Sequence, residues 1–333
     1  MTPSPLLPAL IERFFTQRLL NQRNASPHTI ASYRDTFRLL FKFAQVTLHK
    51  APSSLDLRDI DAPFVITFLD DLEAIRSASV NTRNLRLTAI RAFFRFIAFE
   101  EPAHSAQIQR ILAIPGKLHQ KREVHFLSRA EIEAILATPN TLTWLGRRDY
   151  TLLLVAIQTG LRVSELTSLD RDAVTLGAGA HIFCLGKGRK ERRTPLTKHA
   201  RSALQKWLKE PARGGTTALF PNARGGRLSS DAIQFLLAKY VKSAGDQCPS
   251  LRHKRISPHV LRHTAAMELL QAGVDISVIA LWLGHESIQT TQVYLHAHIA
   301  LKVAALAKLK PLQPHKSTRF EPDDQLLAFL DAL

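Results

Sequence analysis

Residues 114–128 read IPGKLHQKREVHFLS, and the way this stretch is read decides how the rest of the chain is divided. Upstream of it, apolar residues recur at helical spacing. Here the pair Pro115-Gly116 breaks that rhythm, and Lys117, Lys121 and Arg122 come after it in a polar run. Proline and glycine punctuate regular elements, and exposed polar segments commonly join domains. The reading is therefore a helical N-terminal domain over 1–114, a linker over 115–124 and a second domain over 125–310, with a tail over 311–333.

On the upstream side, SPHTIASYRDTFRLLFKFAQ (26–45) opens with Ser26 at a helix N-cap and Pro27 at the first helical position. Ile30, Tyr33, Phe37, Leu40, Phe41 and Ala44 then form a buried stripe. A second helix is expected from about Pro63 to Ile75. A third runs from about Ser79 to Phe99, with Val80, Leu87, Ile90, Phe94 and Ile97 on one side. Arg91 and Arg95 lie one turn apart beside that stripe, within reach of phosphates. Downstream, Ser128 with Glu131 three residues later is a capping-box pattern. Most of the second domain also reads as helix, except HIFCLGKGRKERRTPL (181–196), where two short β-prone runs flank a Gly-Lys-Gly turn and predict a hairpin. In the tail, Asp323 and Asp324 suit a helix N-terminus, and Leu326, Leu327, Leu330 and Leu333 make an apolar stripe. The expected class is mainly α with a small β-hairpin, the second domain being α+β.

Composition narrows the partners. The chain of 333 residues is ordinary in hydrophobic (45%) and charged (22%) content but carries 45 Lys+Arg against 28 Asp+Glu. Fifteen basic and ten acidic residues fall up to position 120, with 30 and 18 beyond it, so the second part holds most of the excess. Such a surplus is the electrostatic footprint of a polyanion binder. Two cysteines, Cys184 and Cys248, form neither a disulfide framework nor a metal-ligand pattern, which fits a reducing compartment. With no secretory start and no long apolar run, a cytoplasmic protein without a membrane span is expected.

The chemistry is carried by five short contexts: TGLRVSEL (159–166), LGKGRKERRTPL (185–196), HVLRH (259–263), LGHE (283–286) and TTQVYLH (290–296). Arg162 comes just after a glycine that ends an apolar helix, and Glu165 lies on the same helical face to orient it. Arg262 comes from a separate segment. Two guanidinium forks can clamp the non-bridging oxygens of one phosphate and stabilise a pentacoordinate transition state. His259, three residues before Arg262, shares its face and suits a proton acceptor; the adjacent His263 is expected to point elsewhere. His285, after a turn glycine, suits a hydrogen-bond donor to phosphate. Lys187, in the hairpin turn with Arg189 and Lys190, can protonate a departing 5′ oxygen. Tyr294 is the nucleophile of the set, its phenol pKa expected to fall beside these cations. Any one of these residues alone reads as structural; the combination does not. It describes cutting and rejoining of a nucleic-acid backbone through a tyrosine, with no carboxylate cluster for a metal and no cofactor. Arg91, Arg95, Lys121, Arg122, Arg189 and Lys190 are the further candidate DNA contacts.

TGLRVSEL, LGKGRKER, HVLRHTAA and LWLGHESIQTTQVYLH stand in an order and spacing that resemble the tyrosine recombinases, the integrase-like family of Xer and phage enzymes. SPHTIASYRDTFRLLFKFA is similar to that family's N-terminal core-binding, SAM-like domain. The resemblance implies a two-domain clamp on double-stranded DNA, with Arg162, Lys187, His259, Arg262 and His285 as the phosphate-binding and acid–base set and Glu165 in support. It implies a covalent 3′-phosphotyrosyl intermediate on Tyr294 and a free 5′ hydroxyl. Four protomers, of this chain alone or with related recombinases, would exchange strands through a Holliday junction. The tail, long for a minimal resolvase, points to a mobile-element integrase, and its leucine stripe is expected either to dock on a neighbouring subunit or to fold back on its own domain. Resolution of chromosome or plasmid dimers is the alternative, and a non-catalytic DNA-binding relative a remoter one.

Overall fold

The computed structural model describes residues 7–118, 125–186, 191–285 and 287–297. The chain divides into two compact units, with the break between Lys121 and Arg122. In the first, α1 (Leu7–Arg13) runs into a π-helical stretch (Phe14–Gln22) and is succeeded by α2 (Pro27–Leu48), α3 (Ala62–Ala74), α4 (Val80–Ile97) and α5 (Ser105–Ala113). Each of the three longer helices starts where a side-chain oxygen accepts an otherwise orphaned backbone N–H. Ser26 accepts from Thr29 at 3.2 Å, Asp61 from Phe64 at 2.8 Å and Ser79 from Thr82 at 3.3 Å. The apolar stripes of α2, α3 and α4 then meet in one core of leucine, isoleucine and phenylalanine. Phe14 and Phe37 each lie 5.5 Å from Phe93, edge to face, and Phe93 lies 5.3 Å from Phe94.

The second unit holds α6 (Arg129–Ala137), α7 (Trp144–Thr159), α8 (Val163–Ser168), the strands β1 (Val174–Thr175), β2 (His181–Leu185) and β3 (Glu191–Pro195), then α9 (Lys198–Leu208), α10 (Ser230–Ala244), α11 (Pro258–Gln271), α12 (Ile276–Leu283) and α13 (Gln289–Ala297). The capping box at α6 forms: Ser128 N–H donates to Glu131 at 2.8 Å, and Glu131 N–H donates to Ser128 Oγ at 3.4 Å. The predicted hairpin is the β2–β3 pair, antiparallel from His181↔Pro195 to Leu185↔Glu191, with β1 extending it to three strands. Helix α7 is apolar all round only over Leu152–Ile157, and Leu152, Leu153, Val155 and Ile157 are buried in the main core of this unit. Helices α11, α12 and α13 add a smaller cluster of Ala266, Met267, Leu270, Ile279, Leu283 and Tyr294. Lys121, Arg122, Lys187, Arg189, Lys190 and the tail beyond Ala297, with its leucine stripe, lie outside the described residues.

Candidate active site

Two glycines bring the arginines together. Gly160 ends α7 in the left-handed conformation (φ 62°), where a side chain would be strained, and a Cβ there would lie 2.7 Å from Leu283. The close approach lets Arg262 Nη1, on α11, donate to the Gly160 carbonyl at 2.7 Å while Nη2 donates to the Leu283 carbonyl at 2.7 Å. Gly284 (φ 65°) ends α12 in the same way. Its carbonyl accepts from Arg162 Nη2 at 3.0 Å. Both guanidiniums named from the sequence are thus fixed on one turn, Leu283–Gly284, immediately before His285.

Glu165 sits beneath them, 3% exposed. It accepts the Arg162 backbone N–H at 2.7 Å and Arg162 Nη1 at 2.9 Å, so the same carboxylate caps α8 and orients the Arg162 guanidinium. A third cation, not singled out from the sequence, completes the group: Arg192 on β3 donates to Glu165 at 2.8 Å and also bonds the Leu283 carbonyl. Two guanidiniums therefore bond one carboxylate, and a third, Arg262, is held beside them on the Leu283 carbonyl. The consequence shows in Arg262, whose pKa falls to about 10 through burial and the charges of Arg162 and Arg192. It remains a cation at neutral pH. A cluster with uncompensated positive charge, held in place by carbonyls, is a preformed anion site.

His285 Nδ1 contacts the buried Thr291 hydroxyl at 2.6 Å, leaving Nε2 for a substrate oxygen. Burial, with Arg262, Arg162 and Arg192 nearby, lowers its pKa to about 4. His259 lies exposed in the first turn of α11. His263 corrects the expectation drawn from its position next to Arg262. Its Nδ1 lies 2.9 Å from the Tyr294 hydroxyl, and the two rings meet edge to face. Burial and the charges of His259 and Arg262 lower its pKa to about 4 as well. The Tyr294 ring is 2% exposed, and burial pushes its phenol pKa up while Arg262 opposes the rise. The expected lowering of the phenol pKa is thus outweighed by desolvation in the cluster around Met267, Leu270 and Leu283.

Of the other candidates, Arg91 and Arg95 lie on α4 in the first unit, Arg91 half-buried and Arg95 exposed. Burial and the charge of Arg95 lower the Arg91 pKa. Among the described residues, no group of three or more His, Cys, Asp or Glu could hold a metal ion, and no helix is long and apolar enough to cross a membrane.

The phage integrase family model matches residues 125–300, and the phage integrase N-terminal SAM-like domain matches residues 11–101. The chain belongs to the phage integrase family. It is a tyrosine recombinase, an enzyme of DNA strand breakage and rejoining. It is 58% identical, over the whole of both chains, to the "Putative integrase/recombinase y4rC" of Sinorhizobium fredii. It is 34% identical to the tyrosine recombinase XerC of Pelobacter propionicus, over 94% of this chain and 97% of the relative. Its fold is similar to that of the XerH recombinase in a post-cleavage complex with its difH substrate (TM-score 0.68, 25% identity, 85% of this chain and 80% of that one). It is also similar in fold to the Tn1549 transposon integrase in complex with circular intermediate DNA (TM-score 0.67, 17% identity, 90% and 99%). Both units of the recombinase therefore have counterparts in known two-domain members of the family.

Proposed function

We propose that the recombinase cleaves double-stranded DNA by attack of the Tyr294 phenolic oxygen on a backbone phosphorus. The O–P bond forms, the bond from phosphorus to the 5′ oxygen breaks, and Lys187 delivers a proton to that oxygen. The phenolic proton leaves through the imidazoles grouped around it, His263 in contact and His259 one turn earlier on α11. Arg162, Arg262 and His285 hold the non-bridging oxygens, and Glu165 orients Arg162. Because the 3′-phosphotyrosyl bond keeps the energy of the broken link, a 5′ hydroxyl from the partner strand can reseal it without a cofactor. The observation that carries this reading is the convergence of Arg162 and Arg262 on the Leu283–Gly284 turn before His285, with the Tyr294 phenol near enough to feel the charge of Arg262. Tyr294 is buried, so its hydroxyl must leave His263 to meet a phosphate.

A nicked suicide duplex, which loses its 5′ end after cleavage, tests this directly. Wild-type protein should form an SDS-resistant protein–DNA adduct; Tyr294→Phe should bind the same duplex and form none. An adduct in the variant would remove Tyr294 from its role, and wild-type binding without an adduct would favour the non-catalytic relative.

We further propose that it acts in the cytoplasm as the integrase of a mobile element, four protomers pairing two DNA sites. Support comes from the likeness to y4rC and from the long tail beyond Tyr294. The likeness to XerC favours dimer resolution as the second reading. The two separate on substrate: an integrase joins unlike sites on different molecules, whereas a resolvase recombines two copies of one site within a circle. Deleting residues 320–333 should spare binding to one site and weaken pairing of two. Normal pairing by the truncated protein would end the idea that the tail docks on a neighbour.

A further inference from the structure

We propose that Arg192 is a positioning residue for strand cleavage, a clasp that fixes Glu165 and the Leu283–Gly284 turn from the sheet side. The inference rests on the reading of Arg162, Arg262 and His285 as the phosphate site. Arg192 faces inward on β3, two residues before the fully buried Thr194 and opposite the buried Cys184 in the β2–β3 register. Its side chain is only 8% exposed, an unusual place for a guanidinium. One nitrogen donates to Glu165, the carboxylate that also holds Arg162. Another bonds the Leu283 carbonyl, which Arg262 also uses. Arg192 thus shares an acceptor with each of the two phosphate-clamping arginines and touches both ends of their cradle.

Two further observations agree. A Cβ on Gly284 would collide with Arg192 Nη1, so the turn before His285 is shaped around this guanidinium. Among the described residues, Arg192 Nε is buried without a hydrogen-bond partner. An unpartnered buried nitrogen calls for an explanation, and the two bonds that the same guanidinium makes to the cradle supply one here. The charge of Arg192 also reaches the site, where it contributes to the lowered pKa values of both Arg262 and His285.

The test is single-turnover adduct formation on the suicide duplex by wild type, Arg192→Gln, Glu165→Gln and the double variant. Duplex affinity and Tm are measured alongside. Misplacing a catalytic group by about 1 Å costs on the order of 100-fold. Arg192→Gln should therefore cleave roughly 100-fold more slowly while binding duplex within about threefold of wild type. Because both residues act through one carboxylate, the double variant should be no slower than the slower single variant. Cleavage by Arg192→Gln within about threefold of wild type overturns the proposal, as do losses that multiply in the double variant. Should Arg192→Gln not fold, Arg192→Lys takes its place: it keeps the charge but not the fork, and wild-type cleavage by it is equally fatal. A wild-type protein that forms no adduct sinks the parent reading, and this one with it, and is distinguishable from every outcome above.

Discussion

The two units solve burial in different ways. The first fills its core with leucine, isoleucine and phenylalanine and, among the described residues, buries only Arg83 and Glu101 of its charged side chains. The second buries Glu131, Arg148, Asp149, Glu165 and Arg262. Burying a charge is costly unless it is paired and hydrogen-bonded. Most of these are: Arg148 bonds Asp149 at 2.6 Å, and Glu131 is held by Lys254 at 2.8 Å and Ser250 at 2.6 Å. The group around Glu165 is different, with two guanidiniums bonded to one carboxylate and the buried Arg262 beside them. Burial in the first unit serves stability, whereas in the second it leaves an excess of positive charge that a phosphate would neutralise.

The largest expected effect breaks that comparison open by exchanging one residue in each unit. Arg262→Gln should lower the rate of adduct formation by roughly 100- to 1,000-fold, the scale for removing one transition-state donor. Phe93→Ala should do the reverse. It should cost about 3–5 kcal/mol of stability, as for other buried aromatics, and leave the rate per folded molecule unchanged. Active-site titration paired with thermal unfolding reads both. A Phe93→Ala protein that folds but does not cleave would contradict the division of labour.

Acid should sharpen the contrast next. His263 and His285 have folded pKa values near 4, against an ordinary value of 6.5. A neutral buried imidazole gains its proton only on unfolding at low pH, so the unfolded state binds more protons between these limits. Stability from these two residues is complete above pH 6.5 and is lost as the pH falls towards 4. In the first unit, none of His28, His49 and His104 is buried. All three tryptophans, Trp144, Trp207 and Trp282, lie in the second unit, so their fluorescence reports it alone. Between pH 6.5 and 5, where carboxylates stay ionised, the fluorescence Tm should fall, and the fall should shrink in His263→Gln. A Tm that is flat over this window would contradict the buried-imidazole account.

These features differ in how plainly the sequence announces them. Ser26-Pro27, Ser79 and the Ser128–Glu131 pair are local signals, and each helix begins where they say it does. The Arg162–Glu165 contact is equally local, one helical turn apart. His263 escapes a sequence reading because neighbours on a helix point apart. Its partner Tyr294 arrives from α13, 31 residues later, on another side of α11. The four-residue step from His259 to His263 is the available hint, since it places both on one face. Arg192 is legible through strand alternation, because it shares the inward face with Thr194. The direction of the phenol pKa shift is hidden for a physical reason: charge proximity is visible in motifs, whereas burial in the Met267–Leu270–Leu283 cluster depends on packing between helices.

The smallest expected effect concerns the first unit's own dealings with DNA. Arg91 and Arg95 stand one turn apart on α4, and among the described residues neither forms a salt bridge, nor does the buried Arg91 Nε find a hydrogen-bond partner. Two like charges at this spacing repel, by a few tenths of a kcal/mol in an isolated helix. A phosphate between them would relieve that repulsion. Each phosphate contact adds roughly 0.9 to the slope of log affinity against log salt. Arg95→Gln should therefore reduce the salt slope of duplex binding by about one and weaken binding alike for all sequences. Its Tm should stay within about a degree or two of wild type, because surface substitutions usually cost under about 0.5 kcal/mol. A salt slope equal to wild type would assign Arg95 to solvent and return the first unit to a purely structural role at this helix.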